Sequence, residues 1–308
     1  SVPRKNSGLA LSLFTAGRVI GVLTLVVLNL LVPLFGFGPS YRALALIAAC
    51  SLLGSAVVRA LWLDPRPPQM SSSGIGVLRD FLQDNARTLR TLVLMLPGTL
   101  VIVLIDAMSD GLFKFGALLY ANEFLNVSIP GIGTIMVATL LLSVPLLLRV
   151  GRLADMRGLD GAALLVYALM PISTMLIIIA PSVPQWGPDS WVMVAESVLP
   201  GLGAVFTTVF VAIVLKYVND TLWNLILLTL IRKSLPSSDT AKFLALFWFL
   251  LSILTSTGPL IGGILFSAGS PSLVFVLVLL LNLGILVSLR RYGLGSAVHS
   301  SGQTQSVQ

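Results

Sequence analysis

Asp106, Asp110 and Lys114 lie in one long apolar stretch of the chain, and Lys216, Asn219 and Asp220 lie in another. The first three are spaced i, i+4, i+8 and share one face of a helix; Lys216 and Asp220 are also i, i+4, with Trp223 one turn on. A charge near the centre of a bilayer costs roughly 2.5–3.5 kcal/mol on insertion scales. Two chemistries justify keeping such charges. Either the lysines and aspartates pair permanently and hold helices together, or they line a polar cavity that takes a proton or a cationic group. In the second case Asp106 or Asp220 gains a proton in one state and releases it in another, which couples a gradient to the movement of a solute. Arg18, in a third apolar stretch, either meets an anionic ligand or pairs with a carboxylate on another helix. Trp223, Phe113 and Phe115 line a cavity for a lipophilic ligand or else fill the core. Glu123 and Glu196 fall near the outer surface, where solvation is expected.

The elements that carry these residues follow from composition. The chain has 308 residues, a mean hydropathy of +0.99 and 10% charged residues, which excludes an ordinary soluble domain. Cys50 is the single cysteine, so no intrachain disulfide forms. His299 is the single histidine and lies in a polar tail, which removes most histidine-based metal, haem and catalytic schemes. No Gly-x-x-x-x-Gly-Lys-Ser/Thr stretch exists, so this chain does not itself use ATP as a P-loop pump. No Asp-rich cluster of the kind used by membrane transferases stands in the loops. An enzyme, a metal site and a cofactor are therefore not expected.

Apolar runs predict eight membrane spans: about 8–34, 41–62, 91–120, 132–148, 162–180, 203–231, 243–266 and 273–289. A Pro- and Ser-rich linker follows the second span, and its later part, around 75–87, has helical period and two faces, as a helix on the membrane surface does. Residues 191–202 predict an interfacial helix broken at Pro200 and Gly201, and the tail from Tyr292 is Ser-, Gln- and Gly-rich and expected to be disordered. With a cytoplasmic N-terminus, fifteen Lys and Arg fall in inside segments, among them Arg4, Arg79, Arg149, Arg232 and Arg290, against Arg42 alone outside. The basic excess of +7 therefore reads as membrane orientation rather than nucleic-acid binding.

A faint repeat links the first two spans to the last two at a shift of 233 residues: Pro3 falls on Pro236, Leu11 on Leu244, Leu13 on Leu246 and Phe14 on Phe247. Internal repeats are common in secondary transporters. Four spans precede the second copy and none the first, and the chain opens on Ser1. The expectation is an all-α integral membrane protein whose eight helices are the last eight of twelve, with the first four missing.

Between the fourth and fifth spans stands Gly151-Arg-Leu-Ala-Asp155-Met-Arg-Gly158, and in the seventh Gly258-Pro259-Leu-Ile-Gly262-Gly263. The first resembles the cytoplasmic Gly-x-Leu-x-Asp-x-x-Gly loop of the major facilitator superfamily. The second is similar to the Gly-Pro-rich helices of its drug exporters. Leu159, Asp160 and Gly161 stand where that family usually continues with basic residues. The resemblance implies two six-helix halves, with residues 1–63 closing the first, 64–90 linking them on the cytoplasmic side, 91–291 forming the second and 292–308 a cytoplasmic tail. It implies that Gly151, Asp155 and Gly158 latch one conformation, that Gly258 and Pro259 bend their helix, and that the third and sixth spans line a central cavity. Those two spans carry the charges named above. The implied function is proton-coupled secondary transport of a small molecule in the plasma membrane, with export slightly favoured over uptake of a sugar or organic acid. A channel or a membrane-embedded enzyme is the rival class. The implied partners are a substrate, a coupling proton, the lipid bilayer and the chain's own missing helices, in a monomer when complete.

Overall fold

The computed structural model describes residues 34–62, 74–156, 158–234, 240–268 and 270–294, together with positions 27 and 31. Among them the regular structure is helical, and the only β pairing is an isolated bridge between Gln185 and Thr207. In chain order the helices are α1 (Phe37–Trp62), α2 (Gly74–Met95), α3 (Pro97–Glu123), α4 (Ile129–Met156), α5 (Leu159–Tyr167), α6 (Leu169–Ile179), α7 (Asp189–Val198), α8 (Thr208–Ser234), α9 (Thr240–Ala268) and α10 (Ser272–Tyr292), with a 3₁₀ turn at Leu202–Phe206 before α8. They fall into two compact units. One runs from 21 to 87 and holds α1 and the start of α2; the other holds everything described from Thr88 onward.

Among the described residues six spans are long and apolar enough to cross a membrane: α1, α4, the α5–α6 pair, α8, α9 and α10. The number becomes seven if the end of α2 and α3 count as one bent crossing. Taken alone, α3 falls short because Asp106, Asp110 and Lys114 all sit in its middle. The expected first span, 8–34, lies almost wholly outside the described residues, and so does Arg18.

Prolines mark two of the departures from the expected spans. Pro97 at the start of α3 separates it from α2, so the helix expected to begin at 91 begins six residues later. Pro171 lacks the N–H that would take the Tyr167 carbonyl, and the expected fifth span accordingly splits at Ala168 into α5 and α6. The sixth begins at Thr208 rather than 203, because the preceding residues form the 3₁₀ turn and then an extended Thr207. The interfacial segment ends at Val198, and Gly201 turns the chain with a φ of 87° against the backbone of Pro130 and Gly131. None of α7's residues is buried.

The larger unit is built on two sets of contacts. The first brings α3 against α9, its most extensive partner, and against α10. The second packs α8 on α4, α5 and α6, while α10 bridges to α5 and α6. Lipid tails are as apolar as leucine, so close backbone approach rather than hydrophobic drive has to hold such helices. At the α3–α9 contact a Cβ on Gly111 would stand 2.2 Å from the Thr255 carbonyl oxygen, and one on Gly258 2.2 Å from the Gly111 carbonyl carbon. Pro259 explains the first approach. It leaves Thr255 without its helical donor, and that carbonyl faces the Gly111 Cα instead.

The chain is ordered further toward its end than its composition suggests. Tyr292 closes α10, Gly293 turns with φ 62°, and Leu294 is buried. Disorder is therefore not a property of 292–294, and 295–308 lie outside the described residues.

Candidate functional site

Two of the longest helices meet at their charges. Facing each other across the bundle, α3 and α8 bring Asp110, Lys114, Lys216 and Asp220 into a closed ring of alternating sign. Lys216 donates to Asp110 Oδ1 at 2.6 Å and also to Asp220 Oδ1. Lys114 donates to Asp110 Oδ2 at 2.7 Å and lies 3.2 Å from Asp220 Oδ2. Each side chain touches both of its opposites, and the formal charges cancel. Lys216 has no solvent exposure, and its ammonium also stands 5.4 Å from the centre of the Phe113 ring.

One turn before the ring, Asp106 is held differently. Oδ1 accepts the Tyr167 hydroxyl and Oδ2 the indole N–H of Trp223, both at 2.8 Å. It pairs with none of the described lysines or arginines. The Tyr167 oxygen also lies 3.1 Å from Asn282 Oδ1, which accepts from Ser109 at 2.9 Å. Asn282 in turn reaches Thr174 Oγ1 at 3.4 Å. This network offers two consistent proton arrangements on one set of heavy atoms. With Asp106 ionised, Tyr167 donates to it. With Asp106 protonated, the carboxyl donates to the tyrosine oxygen and Tyr167 donates to Asn282.

A pocket of about 340 Å³ opens beside both groups. Asp106, Asp110, Lys114, Asp220 and Trp223 form its charged side, and Trp248, Ser252, Thr255 and Ser256 of α9 face them.

The expected site residues thus divide. Asp106, Asp110, Lys114, Asp220 and Trp223 reach the pocket, and Lys216 stands behind it within the ring. Asn219 does not join them: it is buried with its amide nitrogen 3.7 Å from Met170 Sδ and its oxygen without a hydrogen bond. Phe113 is core, edge-on to Phe275 at 5.8 Å, and Phe115 packs on Phe266 and Gly262. Glu123 and Glu196 are exposed, and Glu196 also accepts the N–H groups of Gly201 and Gly203 at 2.8 and 3.0 Å.

Gly151 and Asp155 lie in the last turns of α4, and Gly158 follows with φ 85°. The Asp155 side chain is outside the described atoms. Gly258 and Pro259 lie within one continuous α9.

Tyr167 and Asn282 were not singled out from the sequence. A tyrosine and an asparagine scattered in separate apolar runs give no local pattern; only the fold brings them to Asp106. No group of His, Cys, Asp and Glu among the described residues is arranged to hold a metal ion. The chain matches no known family model, no curated protein and no solved structure.

Proposed function

We propose that the chain is a secondary active transporter that moves a small molecule through a membrane by alternating access and couples that movement to protons. One observation carries the reading. A charge-balanced ring and a separate carboxylate that pairs with no cation among the described residues share a pocket inside a bundle of membrane-length helices. A purely structural set of ion pairs has no use for Asp106, whose burial is expensive while it is ionised. A carboxylate that must gain and lose a proton does. In this reading Asp106 carries the proton, Tyr167 and Asn282 accommodate both of its states, and the ring keeps the rest of the site neutral throughout.

The glycines at 151 and 158 support a latch at the α4–α5 loop of the kind found in the major facilitator superfamily, and the Gly-Pro segment of α9 supports export. The same reading places α2 along the cytoplasmic face of a plasma membrane, and the C-terminus on that side.

The test is movement across proteoliposomes that hold the full chain under an imposed pH gradient. Ethidium, glucose and citrate serve as probes for an organic cation, a sugar and an organic acid. Saturable, gradient-dependent movement of at least one is expected, with at least a tenfold loss in Asp106→Asn (about 1.4 kcal/mol or more). Asparagine reproduces the protonated side chain, donating to Tyr167 and accepting from Trp223, so the variant should fold normally. Gradient-driven movement of none of the probes, or full coupling in Asp106→Asn, would overturn the reading.

A further inference from the structure

Resting on the transporter reading of this pocket, we infer that it takes organic cations bearing N–H donors, amines or guanidines, and that Lys114 occupies their seat until they arrive. The four ring members differ in burial. Lys216 is wholly enclosed, Asp110 and Asp220 keep 17% and 14% of their side-chain surface, and Lys114 keeps 39%. The fixed part is therefore Asp110–Lys216–Asp220, with a net charge of −1, and the exchangeable member is a cation.

Two carboxylate oxygens converge on the exchangeable position, Asp110 Oδ2 at 2.7 Å and Asp220 Oδ2 at 3.2 Å from the ammonium. Asp220 Oδ2 is closed off from solvent and receives no hydrogen bond of good geometry, so its capacity is only partly used. A ligand cation with several N–H donors satisfies both oxygens better than Lys114 does. The displaced lysine has its flexible stem and the pocket mouth to move into. The indole rings of Trp223 and Trp248 line the same pocket and suit the ligand's apolar part and its charge. An anion has no such place: it would have to pull Lys114 away and leave two carboxylates on Lys216 alone.

The experiment measures binding to the full chain in nanodiscs without a gradient, using n-butylguanidinium, with butyrate as the matched anion. Lys114→Gln empties the seat and should bind n-butylguanidinium about tenfold or more tighter than the wild type, with no gain for butyrate. Lys114→Arg fills the seat with a planar, bidentate group and should bind it more weakly than the wild type. In the unmodified protein, saturating n-butylguanidinium should raise acetylation of Lys114 relative to Lys242, read by peptide mass spectrometry. Unchanged or weaker binding in Lys114→Gln, a gain for butyrate, or protection of Lys114 in the wild type would each overturn the inference. Because no gradient is used, cation binding without proton-driven movement would defeat the transport reading alone. Movement of a solute with no Lys114 effect on cation binding would defeat this inference alone.

Discussion

Lys216 is the residue on which the ring's energetics turn. Its ammonium is cut off from water and answers two carboxylates at once. Replacing it by methionine keeps the apolar stem but leaves Asp110 and Asp220 facing each other with Lys114 as their only cation. Removing one partner of a buried pair typically costs about 3–5 kcal/mol, because the survivor stays buried and uncompensated. Lys216→Met should therefore lower the unfolding midpoint in detergent sharply. Adding Asp220→Asn to it restores neutrality, with Asp110 and Lys114 left as a simple i, i+4 pair, and should recover part of the loss. If the two losses simply add, the four charges are not a coupled unit. The sequence showed the charge types and the two helix faces, and those faces do meet. It also suggested Asn219 as a member, from its neighbours in sequence. A position next to Asp220 points about 100° away around a helix, and so Asn219 meets Met170 instead of the pocket.

Between helices, glycine positions decide how closely the charges can be brought. Gly258 belongs to a segment whose expected effect was a bend, yet its visible consequence is contact: a Cβ there would stand 2.2 Å from the Gly111 carbonyl carbon and 2.5 Å from the Leu112 nitrogen. Those are backbone atoms, which no side-chain rotation can clear. Gly258→Ala should push α9 away from α3 and destabilise the protein by about 1–3 kcal/mol or more, as overpacking does. Gly263, five residues along α9 and so on another face, has nothing within 4 Å of its Cβ position. Gly263→Ala should be neutral or stabilising by up to about 1 kcal/mol from helix propensity. Thermal unfolding of the two variants in one detergent compares them directly, and equal effects would remove close approach as the reason for Gly258. The spans themselves were readable because long apolar runs leave little choice. The break at Ala168 was less so, since a proline shows that a hydrogen bond is lost and not whether packing keeps the helix whole. Pro145 and Pro259 sit inside unbroken helices, while Pro171 sits in the first turn of α6, just after the break.

At the scale of the whole bundle, one end is tied by contacts between residues far apart in sequence. Asp160, in the first turn of α5, accepts the Leu294 N–H at 2.6 Å, and Thr99, near the start of α3, donates to the Leu294 carbonyl at 3.0 Å. Gly293 makes this possible: its positive φ turns the chain back after α10, and a Cβ there would stand 2.9 Å from Asp160 Oδ2. Three elements of the larger unit thus meet at Leu294, two residues past the end of α10. In the sequence Asp160 stood out only as an acid where the resembled family carries bases, and nothing local pointed to a partner 134 positions away. Its place beside Gly158 puts the tie at the α4–α5 loop, where the latch is proposed. Asp160→Ala leaves the buried Leu294 backbone without that acceptor and should cost about 1–3 kcal/mol. The loss should be local before it is global. Amide exchange at 292–294 should accelerate well before exchange in α8 does, because the tie has been removed while the ring is intact. Uniform acceleration across the helices would mean instead that Asp160 supports the bundle as a whole. No change at 292–294 would mean that Thr99 and the burial of Leu294 hold the chain end without it.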